Sequence, residues 1–211
     1  RKGIRNVVAV AYLVECAHHV AREVAGVDRE NAHVIGFPGC YPNAYAQKMM
    51  ERLCTHPKVG AVLLVSLGCE SFNRHQVEAV VRATGRPVKV LVIQNSGGTR
   101  STIAAGRAWV AEQVVVLAAM PTVPMAVSEL IVGTVCGGSD GTSGITGNPA
   151  AGIAFDKLVA AGAACIFEET GELIGCEAIM EARAATPALA AELRAMGCPR
   201  QAVRTENREQ P

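Results

Sequence analysis

A chain of 211 residues is long enough to bury one substantial core, and its 20 Lys and Arg against 19 Asp and Glu leave a formal net charge of +1. So even a balance gives no electrostatic reason to expect nucleic acid or an anionic membrane as a partner, and neither is expected. Half of the residues are apolar but only 4% are aromatic, the composition of tightly packed helices on a parallel sheet.

From the amino end, short apolar runs rich in β-branched residues occupy 7–14, 33–37, 61–67, 88–94, 130–135 and 164–168. Amphipathic stretches follow them at 17–25, 44–54, 74–84, 101–117, 149–161 and 172–184. This alternation predicts βα units that feed one parallel sheet through right-handed crossovers. The expected architecture is therefore a three-layer, Rossmann-like α/β fold over residues 1–197, with a mainly parallel six-stranded sheet and helices on both faces. Asn148 before Pro149 reads as a helix start, and Gly26, Gly85 and Gly162 read as helix ends. Residues 118–129 are too rich in proline for a helix and are expected to form a crossing loop, while 198–211 lose the apolar pattern and read as a frayed tail.

No apolar run approaches the roughly 18 residues of a membrane span, and no signal-type segment follows 1–5, so a cytoplasmic location is expected. Eight cysteines in a chain with ample core read as reduced thiols rather than a disulfide framework. The chain opens in RKGIRN without a methionine and reads as a piece of something longer.

Four cysteines carry the first functional signal. Cys16, Cys40, Cys69 and Cys136 each lie at or just beyond the end of a predicted strand. In an open parallel sheet the carboxyl ends of the strands share one edge, where ligands bind. Four soft ligands facing one crevice could hold a metal, although a buried cysteine is often only packing. ECAHH at 15–19 adds His18 and His19, which cannot both face the crevice because neighbours on a helix diverge. Tyr41, Asn43 and Glu70 belong to the same edge. GGTRST at 97–102 joins a strand end to a helix start, so Thr99, Arg100 and Ser101 could receive an anion there, or the glycines could serve a simple turn.

The segment CGGSDGTSG at 136–144 packs four glycines, an aspartate and three hydroxyl side chains behind a strand, and is expected to be a ligand-cradling loop. Asp140 is its carboxylate for a metal or a substrate hydroxyl, and Ser139 a substrate-binding hydroxyl. EETGELIGCE at 168–177 carries Glu168, Glu169, Glu172 and Glu177, which could equally do no more than complement a helix dipole. Cys54, Cys165 and Cys198 read as structural. There is no CxxC pair, no GxSxG and no Walker pattern.

Taken together, GIRN (3–6), LGCE (67–70), GGTRST (97–102), SELIVGTVCGGSDGTSGITGNPAAG (128–152) and EETGELIGCE (168–177) resemble the altronate and galactarate dehydratase family. The resemblance runs in order over about residues 1–190. Within it, the segments at 7–23, 35–43 and 165–177 are most similar to the sulfolactate-cleaving branch. The resemblance implies a lyase that removes the proton beside a carboxylate and expels a group from the next carbon. Water leaves in the sugar-acid dehydratases; sulfite leaves from (2R)-sulfolactate, giving pyruvate.

The resemblance also implies a divalent metal, usually iron, as Fe2+ or an iron–sulfur cluster, with calcium or magnesium as the alternative. By family position, Cys40, Cys69, Cys136 and then Cys16 become metal ligands, with Asp140 a metal or active-site residue. His18 or His19 becomes the base, and Thr99, Arg100 and Ser101 the binders of carboxylate or sulfonate. A small 2-hydroxy acid as substrate, a small β-rich partner subunit or domain, and a homo-oligomer are expected. Family large subunits continue well beyond the EETGELIGCE block, so a truncated, non-catalytic domain serving dimerisation or scaffolding is the other class of reading.

Overall fold

The computed structural model describes residues 2–135, 137–138, 140–168 and 173–195. The chain divides into two compact units, Arg1–Val123 and Pro124–Pro211, where the sequence alone suggests a single α/β domain through residue 197.

The first unit is built on four parallel strands, β1 (Val7–Tyr12), β2 (Ala32–Gly36), β3 (Val59–Ser66) and β4 (Val88–Val92), in the order β2-β1-β3-β4. The two inner strands, VVAVAY and VGAVLLVS, are buried almost throughout. Both of their faces are covered, which is why they read as continuous apolar runs rather than as alternating ones. On one face Val8, Val10, Leu63 and Val65 pack with Val20 and Val24 of α1 (His18–Ala25) and with Val110 and Leu117 of α4 (Thr99–Ala118). On the other, Ala9, Ala11, Val62 and Leu64 pack with Met50 and Cys54 of α2 (Ala44–Cys54) and with Val77 and Val81 of α3 (Arg74–Arg82).

Helix starts are set by side chains. Asn43 accepts from the Ala46 amide at 2.8 Å and Asn73 from the Gln76 amide at 3.1 Å, satisfying donors that the first turn leaves free. Cys54 lies in the second core with no solvent exposure, and burial pushes its thiol up to about 12, so it stays a neutral packing group as expected.

The second unit is a βαβ arrangement. Strands β5 (Ile131–Thr134) and β6 (Ala164–Phe167) pair in parallel on either side of α5 (Asn148–Ala160), and α6 (Glu177–Ala182) follows. Its apolar side chains are largely uncovered: Ile131, Ile153, Ile166 and Phe167 are all exposed.

Two expectations are corrected. The six strands do not form one sheet but a four-stranded and a two-stranded one. Local periodicity identifies a strand, whereas the sheet it joins is fixed by long-range pairing that no local window records. Residues 141–147, expected as part of a loop, are helical and run directly into α5. Asp140 caps this helix, its side chain taking up the first free amides. Both α6 and the helical stretch 187–195 lie beyond the last strand, and the expected start of the former at 172 falls outside the described residues. No described helix is long and apolar enough to cross a membrane.

The closest approach of α1 and α4 is at Gly106, where an added Cβ would come within 2.6 Å of a Val24 methyl. Val24 is fully buried and cannot swing away. Gly106→Ala is therefore expected to destabilise the first unit by about 1–3 kcal/mol, outweighing alanine's helix preference of about 1 kcal/mol. Urea denaturation measures it, and a variant as stable as the parent would show that the helices are not in close contact there.

Candidate functional site at the carboxyl edge of the sheet

Because β1 to β4 run parallel, Tyr12, Gly36, Ser66 and Val92 end at one edge, and the loops that follow carry most of the predicted residues. Cys16 sits in a 3-10 turn, Glu15–Ala17, and His18 and His19 open α1. The two histidines diverge as their spacing requires: His18 is half-buried and His19 exposed. The His18 ring stacks on Tyr12, centroids 4.8 Å apart and planes at 26°, and its Nδ1 lies 3.0 Å from Glu15 Oε1. Tyr12 in turn lies over Gly36, where any Cβ would come within 2.2 Å of its ring.

The loops after β2 and β3 are joined. The Ser71 amide donates to the Cys40 carbonyl at 3.0 Å, and Phe37 meets Phe72 edge to face. Cys40 and Cys69 are both exposed free thiols on these loops. Beside Cys69, Glu70 is buried and turned back on its own strand. It accepts from the Ser66 hydroxyl through a short bond and from the Gly68 amide at 2.8 Å, with Arg74 3.4 Å from the same hydroxyl. Burial acts to raise the Glu70 carboxyl, but the Ser66 and Gly68 hydrogen bonds and the Arg74 charge together hold it below its ordinary value of 4.5. Gly68 has φ of 126°, a backbone conformation that favours glycine.

After β4, Gly97 and Gly98 both adopt positive φ, 76° and 85°. The doublet in GGTRST is thus demanded by the turn. It delivers Thr99, Arg100 and Ser101, all exposed, to the first turn of α4, whose free amides and dipole favour an anion.

Asp140 belongs to the second unit. Its Oδ1 accepts from the Thr142 hydroxyl and from the amides of Thr142 and Ser143, at 2.8 and 2.9 Å for the amides. The Thr142 hydroxyl first, then the two amides, hold its carboxyl below the usual carboxylate range. Asp140 is therefore a helix cap and a poor proton acceptor. Gly141, Gly144 and Gly147 have open space where a Cβ would stand and no positive φ, so nothing within this unit demands glycine there. Cys136 and Ser139 lie outside the described residues, as do Glu169, Glu172 and Cys198.

The structure thus gathers Cys16, His18, His19, Cys40, Cys69, Thr99, Arg100 and Ser101 on the loops and helix starts of one sheet edge. It does not draw the thiols into a metal centre: among the described residues no three His, Cys, Asp or Glu side chains form a group that could hold an ion. Sequence patterns missed Glu15 and Tyr12 as partners of His18, although the three-residue spacing of Glu15 and His18 at a helix start was a usable signal.

These features define a parallel α/β unit with titratable and anion-receiving side chains at its carboxyl edge, followed by a smaller βαβ unit. Residues 1–118 match the family described as D-galactarate dehydratase/Altronate hydrolase, second domain, and residues 127–209 match D-galactarate/Altronate dehydratase, C-terminal. The chain belongs to the galactarate and altronate dehydratase family. It is similar to the (2R)-sulfolactate sulfo-lyase subunit beta of Chromohalobacter salexigens, 39% identical over 67% of this chain and 36% of the relative. It is also similar to altronate dehydratases of Escherichia coli, 29% identical over 84% of this chain and 38% of the relative, and of Bacillus subtilis, 30% over 87% and 39%. The chain thus spans less than two fifths of the length of these curated relatives. No solved structure matches it.

Because the folded state holds Glu70 below its ordinary value, the stability it contributes is complete above about pH 4.5 and is lost as the pH falls through the lowered value. Glu70→Gln is expected to be less stable than the parent at pH 7, the gap closing toward pH 3. Urea midpoints across that range test it, and a gap that widens in acid would overturn the assignment.

Proposed function

We propose that this chain is part of a lyase that eliminates a β-substituent from a small 2-hydroxy carboxylate, with (2R)-sulfolactate, cleaved to pyruvate and sulfite, as the first substrate. What carries the reading is that residues 1–118 and 127–209 both match dehydratase family regions. The sheet edge supports it with a held imidazole and, on a separate loop, an anion-receiving helix start. The 39% identity to a sulfo-lyase subunit favours sulfite as leaving group. That relative's designation as a beta subunit supports a working form with a second kind of subunit. Dehydration of a sugar acid such as altronate is the second reading, favoured by the longer coverage, 84% and 87% of this chain, of the altronate dehydratases.

In this mechanism Arg100 and the amino end of α4, with Thr99 and Ser101, bind the carboxylate or sulfonate. His18 takes the proton from C2 as the C2=C3 bond forms and the C3–S bond breaks, the electron pair leaving with sulfite. The enol then becomes pyruvate. For altronate the same steps break C3–O and release water. A divalent metal would supply Lewis-acid stabilisation of the enolate.

An anaerobic assay on (2R)-sulfolactate and on altronate, with and without ferrous iron, follows sulfite and 2-keto acid. Sulfite release supports the first reading; 2-keto acid from altronate alone moves the chain to the second; neither product from the intact subunit that contains this chain, assayed with its partner beside an active family enzyme, sinks both. In an active preparation His18→Ala should lower kcat by about 10²–10⁴-fold while His19→Ala stays within about twofold. Arg100→Ala should cost about 10- to 100-fold in kcat/KM, the worth of one charged hydrogen bond. Equal losses in the two histidine variants would refute the choice of base.

Asp140→Asn keeps the cap, since asparagine caps as well as aspartate, whereas Asp140→Ala should lower the stability of the second unit, read as a drop in its urea midpoint. If Asp140 has a chemical role as well, Asp140→Asn loses turnover at unchanged stability. Full activity in Asp140→Asn would reduce the residue to its structural role.

A further inference from the structure

We propose that Glu15 is a positioning residue that holds His18 as its Nδ1–H tautomer, leaving the Nε2 lone pair as the atom that accepts the substrate proton. This rests on the reading of His18 as the base of an elimination. Three observations fix the ring. His18 Nδ1 lies 3.0 Å from Glu15 Oε1, and an ionised carboxylate only accepts, so in neutral His18 the ring proton belongs on Nδ1. The ring face is stacked on Tyr12 at 4.8 Å. Tyr12 is itself seated in the space that Gly36 leaves, where any side chain would strike the phenol ring.

A solvated neutral histidine side chain favours the opposite, Nε2–H form. The wrong tautomer would offer a donor where the reaction needs an acceptor, and the carboxylate beside Nδ1 removes that form. Once Nε2 has taken the proton, the same carboxylate faces an imidazolium and stabilises it. Glu15 touches neither substrate nor reacting atom; it acts through His18. Its position three residues before His18, on the 3-10 turn that leads into α1, lets a side chain 55% exposed reach a ring 36% exposed without burying a charge.

The test is 15N NMR of the chain labelled at histidine, under conditions where His18 is neutral, with the other histidines as internal controls of folding. His18 is expected as Nδ1–H in the parent and in Glu15→Gln, whose amide oxygen still accepts, and as Nε2–H in Glu15→Ala. In active preparations Glu15→Ala should lower kcat about 10- to 100-fold with KM within about twofold, and Glu15→Gln should recover much of the loss. An Nε2–H ring in the parent, or a tautomer unmoved in folded Glu15→Ala, overturns the proposal. So does a switched tautomer with unchanged kcat. A tautomer switch as expected in a chain that turns over no 2-hydroxy acid supports the assignment of the proton and sinks the elimination reading instead.

Discussion

Burial of β1 and β3 on both faces is the constraint from which the first unit follows. Val8, Val10, Leu63 and Val65 point to one side and Ala9, Ala11, Val62 and Leu64 to the other, and all are within 2% of full burial. Neither strand can face water, so helices must cover both surfaces, and the crossovers that place them there make the sheet parallel. Parallel strands bring four carboxyl ends to one edge. The gathering of Tyr12, His18, Cys40, Cys69 and the start of α4 at that edge is a by-product of how the core is buried.

On this edge the polar contacts hold the backbone, while several of the candidate side chains are exposed. Glu70 is spent on Ser66 and Gly68, and Asn43 and Asn73 on helix starts. Cys40, Cys69, Thr99, Arg100 and Ser101 are exposed. Rigid elements with short anchored loops behind exposed reactive side chains are the arrangement that preorganised sites require. His18 is the intermediate case, held on a face by Tyr12 and at one nitrogen by Glu15.

The second unit behaves differently. Its strands and α5 carry apolar side chains that remain exposed, and none of the residues of α5 is buried. Here the glycine-rich segment at 141–147 is helical and Asp140 satisfies its first amides, offsetting part of the poor helix preference of its three glycines. A carboxylate that looks catalytic in a glycine-rich string thus has a complete structural role before any chemistry is assigned to it.

Element identity was legible in the amino-acid sequence because it depends on local period: all six strands and the helices between them were visible as runs of the right length and pattern. The family was legible for a related reason, since LGCE, GGTRST and the CGGSD block are short strings whose order survives without knowledge of their contacts. The sequence could bring candidate residues to strand ends but not tell which would meet. The partition into a four-stranded and a two-stranded sheet, the stacking of His18 on Tyr12 while His19 is exposed, and the capping role of Asp140 were decided by tertiary structure. Each depends on a distance across the fold or on where one side chain turns, quantities set by packing and hydrogen-bond geometry rather than by the spacing of residues along the chain.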